Sequence, residues 1–378
     1  MKKILFIFFI IIFSSIYFLL HYFVFSRIIN GLNPSLYLYK IILLIFLIGG
    51  VSFFIGEVLG RFFKLSPLLY IGSVWMGIIS IAVSVFILEI ILSALFSGYQ
   101  KIFTQTALVL IFILTVISVL NSAYNRKIKE ITLNYSDLPK DLENFSIVHL
   151  SDIHLGKLST HKWFQKIVDE VNNLNPDLIV ITGDLIDEDI SDSEEYCSEL
   201  KRLKSTFGIF AVPGNHEYYA GINKFRNLAD EAGISVLINS NKKINASLSI
   251  IGLDESSSKR MEGIGPKIDN AFEGLDENTE FKILMNHQPT LFNEAVKNGV
   301  NLQLSGHTHS GQLIPIYFLV RLLYKYPYGL YSENNSYIYT TSGTGTWGPP
   351  MRLCSRSEIV KITLKRNSVP DTKNNSSR

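Results

Sequence analysis

The sequence predicts an α/β domain preceded by a membrane region of four helices. Four apolar stretches fill most of the first 125 residues. From about residue 130 short β-rich runs alternate with amphipathic segments, and several of those runs close on a small polar cluster. Long apolar stretches are the signature of spans, and alternation of the two periodicities is the signature of strands layered with helices. A chain of 378 residues has room for one catalytic domain and a second region.

The apolar stretches lie near 4–25, 41–60, 67–96 and 103–123, each fitting the ~20 residues that cross a hydrocarbon core. Lys2 and Lys3 precede the first, as in a signal peptide. Its apolar run is too long, however, and no clear small-residue cleavage site follows, so it reads as a retained helix. Residues 1–125 are therefore expected to form an anchor. With the N-terminus inside, the inner segments hold Lys2, Lys3, Arg61, Lys64, Arg126, Lys127 and Lys129, against Arg27, Lys40 and Lys101 outside. That bias predicts a cytoplasmic catalytic domain. His21, Glu57 and Glu89 fall in or at the ends of these stretches. They are scattered, Glu57 and Glu89 towards segment ends, which suits interfacial or packing roles better than a proton path.

In the second region the candidate strands are 145–150, 177–182, 208–212, 247–253, 281–285, 300–304, 337–341 and 358–364. Each is a short apolar or β-branched run bounded by Gly, Pro, Asn or Asp. Trp163, Phe164, Ile167, Val168 and Val171 recur at helical spacing over 160–173, with Ser159 or Thr160 as cap. Residues 193–205 and 222–232 read as further helices, giving a domain over 130–366 and a polar, disordered tail over 367–378.

Composition excludes some functions. Beyond residue 124 the chain carries 28 of its 35 Lys/Arg and 31 of its 33 Asp/Glu, a slightly acidic balance that argues against nucleic-acid binding. A small phosphorylated substrate stays open, because bound metals supply positive charge locally. Cys197 and Cys354 are far apart and have no metal-site spacing, so they read as two thiols in a reducing compartment.

The polar clusters are Asp152-Ile153-His154, Gly183-Asp184, Gly214-Asn215-His216-Glu217, Asn286-His287 and Gly306-His307-Thr308-His309, and they hold five of the eight histidines. Asp152, Asp184, Asn215, His287 and His307 each fall just past a candidate strand, where loops of an open α/β sheet gather around ligands. Asp152 and His154 can bind one metal, Asp184 can bridge two, and Asn215, His287 and His307 suit a second, with His309 free to return to the first. This oxygen and imidazole set without sulfur favours Mn²⁺, Fe or Zn²⁺ over Ca²⁺. Two such metals can hold a bridging hydroxide as nucleophile and clamp the phosphoryl oxygens. His216 need not be a ligand; it can donate to a leaving-group oxygen. Glu217 is expected to orient its neighbours, His149 to be core and His161 to be surface. Arg352 is expected either to touch substrate phosphate or to pair with Glu358.

These blocks resemble the signature of the calcineurin-like metallophosphoesterase superfamily: D-x-H, G-D, G-N-H-[DE], a lone His and G-H-x-H, all present and in that order. The resemblance covers roughly 140–365. It implies a four-layer α/β/β/α sandwich and a dinuclear centre bridged by Asp184. It also implies that Asn215 is a ligand of the second metal and His216 the catalytic histidine. Gly306 to Leu313 is similar to the bacterial membrane-associated branch, with Ser310 where that branch usually has Gly. The expected function is a membrane-anchored, two-metal phosphoesterase acting on a phosphodiester, pyrophosphate or phosphomonoester, with membrane lipids or a lipid-linked molecule as partners. A silent scaffold on the same fold would be expected to lack ligands, and none is lacking. A transporter would be expected to pair polar residues within its spans, and they are sparse. One segment stands apart: Pro315 and Pro327 bracket Phe318, Leu319, Leu322, Leu323 and Tyr326, with Arg321 and Lys325 on another face. It reads either as a helix packed on the domain or as an interfacial helix.

Overall fold

The computed structural model describes residues 2–63, 66–96, 98–187, 190, 193–255, 268–276 and 279–367; the tail expected to be disordered lies outside these from residue 368 on. The chain forms two compact units. One holds Met1–Arg126, His309–Leu323 and Thr346–Ser357, the other Lys127–Thr308, Tyr324–Gly345 and Glu358–Arg378.

The first unit is built on α1 (Lys2–Leu32), α2 (Leu36–Phe63), α3 (Ser66–Leu95) and α4 (Gln100–Tyr124). Each contains a stretch long and apolar enough to cross a membrane. The helices overrun the apolar stretches of the sequence because a span need not end where the hydrocarbon does. Val24, Ile28, Ile81, Val85, Phe86, Ala107 and Ile111 pack between them, while Leu19, Ile48, Leu88 and Phe112 face outwards. Of the two roles expected of Glu89, interfacial or packing, it takes the second. Its carboxylate is buried and accepts from Arg27 Nη2 (2.5 Å), Arg27 Nε (3.2 Å), Ser93 Oγ (3.0 Å) and Thr104 Oγ1 (3.2 Å). His21 accepts from Trp75 Nε1 at 2.9 Å, a packing role. The side chain of Glu57 lies outside the described residues.

The second unit is a sandwich of two six-stranded mixed sheets. One runs in the order β1 (Lys127–Tyr135), β12 (Glu358–Arg366), β2 (Ser146–Leu150), β3 (Leu178–Thr182), β4 (Ile209–Val212) and β5 (Ser235–Val236). The other runs β10 (Gly329–Glu333), β11 (Ser336–Thr340), β9 (Leu302–Ser305), β8 (Phe281–Met285), β7 (Leu248–Gly252) and β6 (Ser240–Lys243). Strands β2, β3 and β4 are parallel, and so are β7, β8, β9 and β11. Parallel strands buried on both faces read as unbroken apolar runs, which is why these were visible in sequence.

Between the sheets lie Ile147, Leu178, Val180, Phe210 and Val212 from one and Ile250, Ile283, Met285, Leu302 and Leu304 from the other. Helices α5 (His161–Asn173), α6 (Ser193–Leu200), α7 (Asn215–Ala220) and α8 (Ile222–Glu231) follow the strands of the first sheet. Phe164, Ile167, Val168, Val171 and Phe225 cover its outer face. Thr160 caps α5 by accepting from Trp163 N. Helices α9 (Ile268–Phe272) and α10 (Phe292–Lys297) bring Ala271 and Ala295 to the outer face of the second sheet. The four layers are those that the resemblance implies. The last helix, α11 (Ile316–Leu323), belongs to the first unit.

The Arg27–Glu89 pair ties α1, α3 and α4 together, with the Glu89 carboxylate shut inside the bundle. Removing one partner of a buried ion pair costs about 3–5 kcal/mol, whereas replacing both by apolar side chains of similar volume is often neutral. Glu89→Ala is therefore expected to lower the thermal unfolding midpoint of the detergent-purified protein strongly, and Arg27→Met with Glu89→Met to recover most of it. Equal losses in both would show that the pair does not lock the bundle.

Candidate metal centre

In the second unit every candidate ligand sits at a strand's carboxyl end. Asp152 and His154 follow β2, Asp184 follows β3, Asn215 opens α7 after β4, His287 follows β8 and His307 follows β9. The backbone continues to pair beyond the strands: Asp152 N donates to Gly183 O, and His154 N to Asp184 O, both at 3.0 Å. Gly306 N likewise donates to His287 O at 2.9 Å. Gly183 serves a sharp turn, with a φ of +82°. At Gly214 and Gly306 the constraint is close approach instead. A Cβ on Gly214 would stand 2.2 Å from Asp184 Oδ1, and one on Gly306 2.3 Å from Asp152 Oδ2.

Two groups form within this unit. Asp184, His287 and His307 bring ligand atoms within 4.8 Å of one another, and so do His154, Asp184 and His216. Asp184 belongs to both. Nδ1 of His287 lies 2.8 Å from the Thr182 carbonyl, which can only accept, so Nδ1 carries a proton and the neutral ring has its lone pair at Nε2. Around that Nε2 stand Asn215 Oδ1 (3.2 Å), His307 Nδ1 (3.2 Å) and Asp184 Oδ2 (3.3 Å). His154 repeats the pattern: its Nδ1 lies 2.8 Å from Asp187 Oδ1, and its Nε2 points to Asp184 Oδ2 at 3.9 Å. Acceptors gathered face to face repel one another unless a proton or a cation sits among them. Neighbouring ligands on a cation with bonds of about 2.0–2.2 Å stand about 3.0–3.5 Å apart, so the spacing around His287 fits a metal.

Electrostatics point the same way. Burial alone would lower the pKa of His287 and of His154, but the carboxylates around them win. Asp184 lifts His287 well above the usual histidine range, and Asp187, with Asp184 and Asp152, lifts His154 to about 9. The same imidazoles hold Asp184 well below the ordinary carboxylate range despite its burial. Without metal, protons occupy these rings. Burial and the charge on His287 together lower His307.

The supporting residues are as specific. Buried Glu217 accepts from Gly214 N (2.6 Å), Asp184 N (2.9 Å) and Ile186 N (3.0 Å), joining the loops after β3 and β4. Burial and the neighbouring Asp184 raise it to about 7. Asp184 Oδ1 accepts from His216 N at 2.9 Å, and Asp152 accepts from His307 N at 3.0 Å. His149 is core: burial lowers it to about 3, and its Nε2 contacts Thr182 Oγ1 at 2.7 Å. His161, partly exposed, lies 3.3 Å from Glu199.

Sequence reasoning missed Asp187. Its Oδ1 lies 2.9 Å from His216 Nδ1 as well as 2.8 Å from His154 Nδ1, so one carboxylate orients two imidazoles. The available signal was a second acid three residues after Asp184 on the same strand-end loop. Arg352 has a neighbour that the sequence did not suggest, His309. Glu358 accepts from Tyr339, Thr341 and Ser342 N. Buried Arg352 belongs to the first unit, where it donates to Ser355 Oγ (2.8 Å) and lies 3.2 Å from His309 Nδ1. His309 is buried in that same unit, and its Nδ1 accepts from the Arg352 guanidinium.

Residues 145–311 match the family model described as calcineurin-like phosphoesterase. The chain is 36% identical over 278 residues, 70% of its length, to a zebrafish (Danio rerio) protein described as a transmembrane protein with metallophosphoesterase domain, of which it spans 63%. It is 37% identical over 269 residues to an uncharacterized metallophosphoesterase of Campylobacter jejuni, matching 70% of each chain. It is 34% identical over 260 residues to one of Aquifex aeolicus, matching 66% of this chain and 98% of that one. The kinship therefore reaches beyond bacteria to animals. Identity at this level across most of the Campylobacter and Aquifex proteins makes the chain a member of the calcineurin-like metallophosphoesterase family.

Proposed function

We propose that the protein is a membrane-anchored, metal-dependent phosphoric ester hydrolase with two divalent cations at the strand ends. The observation that carries this reading is the convergence of Asp184 Oδ2, Asn215 Oδ1 and His307 Nδ1 on the Nε2 of a His287 whose other nitrogen is held by the Thr182 carbonyl. Asn215, His287 and His307 would hold one cation. Asp152 and His154 would hold the other, with His309, two residues beyond His307 in the chain, as a further donor. Asp184, common to both side-chain groups, would bridge them. The residues suit Mn²⁺, Fe or Zn²⁺.

When bound, such a pair supplies positive charge for the phosphoryl oxygens and lowers the pKa of a water. The remaining chemistry falls to the chain. His216 is partly exposed beside buried ligands, and Asp187 at its Nδ1 turns Nε2 outward, where it can hold a proton for the leaving-group oxygen. Glu217 keeps Asp184 and Asn215 in register by holding the backbone beneath them. The substrate is a phosphodiester, pyrophosphate or phosphomonoester. The four apolar helices support a lipid-linked one, and the charge bias of the connecting segments supports a cytoplasmic site.

Release of p-nitrophenol from bis(p-nitrophenyl) phosphate with Mn²⁺, abolished by chelator, tests the reading. Asp184→Asn should cost several orders of magnitude in kcat, because a neutral amide lacks the negative charge that two cations would share at Oδ2; full activity in that variant would refute the centre. Asp187→Asn should retain metal but lose about 10–100-fold in activity, as partners of ligating and catalytic imidazoles do. Unchanged kcat there would show that Asp187 only fills space.

The pKa shifts have a sign that calorimetry can read. His154 in the metal-free protein keeps its proton up to about pH 9, and His287 is raised likewise. A cation must displace those protons, so affinity should rise with pH towards 9 and fall on acidification. Titrating Mn²⁺ at pH 7 in buffers of different ionisation enthalpy should show net proton release. No release would mean that the cation binds elsewhere.

A further inference from the structure

The exposed apolar surface of the first unit does not stop at the four long helices. Helix α11 has eight residues and no stretch long enough to span a bilayer, yet Ile316, Phe318, Leu319, Leu322 and Leu323 are all exposed, Leu322 by 82% and Leu323 by 74%. At about 100° per residue these five side chains fill one continuous side of the helix. Val320, just past one edge of that side, is the buried one. Arg321 borders the apolar side; its guanidinium lies 3.5 Å from the centre of the Tyr317 ring and donates to Tyr317 O at 3.3 Å. A helix packed on the catalytic domain, as one reading of the sequence had it, would bury this side.

What this side meets is indicated by what the helix is fastened to. Leu313 and Ile314, directly before it, belong to the same apolar cluster as Ile79, Ile81, Val83, Val85 and Phe86 of α3. Ile314 O accepts from Ser80 Oγ at 2.7 Å, and Ser80 is near the middle of the 29-residue apolar stretch Pro67–Leu95. Tyr317 N donates to Leu313 O at 2.9 Å, so the anchor runs directly into the helix. The second segment of the unit is fixed as closely. Met351 is fully buried in the same cluster, Arg352 N donates to Ser118 O of α4 at 2.8 Å, and Leu353 N donates to Gln312 O at 3.0 Å. An apolar helix face fastened to the middle of a span and continuous with surface that must face acyl chains is not placed in water.

We propose that α11 is a lipid-contacting helix, with Ile316, Phe318, Leu319, Leu322 and Leu323 against the acyl chains of the bilayer and Arg321 at its polar boundary. The pattern suits a short lipid-facing helix: one side wholly apolar, one cation at the edge whose long stem can carry its charge to polar surroundings, and a length that cannot cross. This inference is independent of the chemistry proposed for the metal centre and would stand if the protein hydrolysed nothing.

Nitroxide labels on the full chain in phosphatidylcholine vesicles test it. Single cysteines replace Phe318, Leu319, Leu322 or Leu323 in a Cys197→Ser, Cys354→Ser background. Phe112→Cys serves as a lipid-facing control and Lys162→Cys as a water-facing one. The expected result is high accessibility to oxygen and several-fold protection from a water-soluble nickel chelate at all four positions, matching Phe112→Cys. Nickel accessibility like that of Lys162→Cys would overturn the proposal by placing the helix in water. Protection from both reagents would overturn it by placing the face against protein, either a second copy or another chain. Thermal unfolding of each labelled protein beside the parent identifies any label that has disturbed the fold, and the three remaining positions then decide the outcome.

Discussion

One oxygen constrains the rest of the second unit. Asp184 Oδ2 faces Nε2 of His287 and Nε2 of His154, and the other nitrogen of each ring is already committed, to the Thr182 carbonyl and to Asp187. With both rings neutral, three sets of lone pairs would meet in a buried space. Such an arrangement costs free energy in the empty protein, and protons on the rings relieve it only by leaving imidazolium charge without water. A cation relieves it completely. Glu217, Asp187 and the Thr182 carbonyl matter because they prevent the loops from relaxing into a less crowded arrangement.

The backbone carries part of the same cost. Asp152, His154, Asp184, His307 and His309, five of the seven candidate ligands, have φ between 48° and 69°. Left-handed backbone costs a non-glycine residue of order 1–3 kcal/mol, and it persists only where the surroundings over-determine it. Here pairing continues past the strand ends: Thr344 N donates to Ser151 O at 2.8 Å and Gly345 N to Asp152 O at 2.9 Å. The apolar sandwich thus holds ligands where local preference alone would not.

How much of this could be read in advance depended on the range of the interaction. Strands β2, β3, β4, β7, β8, β9, β11 and β12 were legible because burial on both faces leaves an apolar run with a sharp polar end. β1 was not. Lys127–Tyr135 is rich in charge because it lies at the sheet edge, paired with β12 alone, and only its last residues enter the core. β6 and β10 escaped for the same reason, being edge strands of the second sheet. The ligand types could be read because the motif places each within a few residues of a strand end. The tasks of Asp187 and Arg352 could not, since each depends on a partner more than thirty residues away in sequence, His154 for the first and His309 for the second. The packing role of Glu89 could be read, but not its partner: Arg27, 62 residues earlier, decides its environment.

Three buried carboxylates show how such environments separate structure from function. Glu89 is surrounded by donors, Arg27, Ser93 and Thr104, so its charge is used up inside the bundle. Glu217 accepts three backbone N–H groups, which fasten two loops but leave it no reason to bind anything more. Asp184 is held by a backbone donor at Oδ1 alone, while Oδ2 is presented to imidazole nitrogens that are acceptors when neutral. Burial is common to all three and decides nothing. The sign of what surrounds each oxygen does: donors close a site, and acceptors drawn together leave a place that only a positive charge can fill.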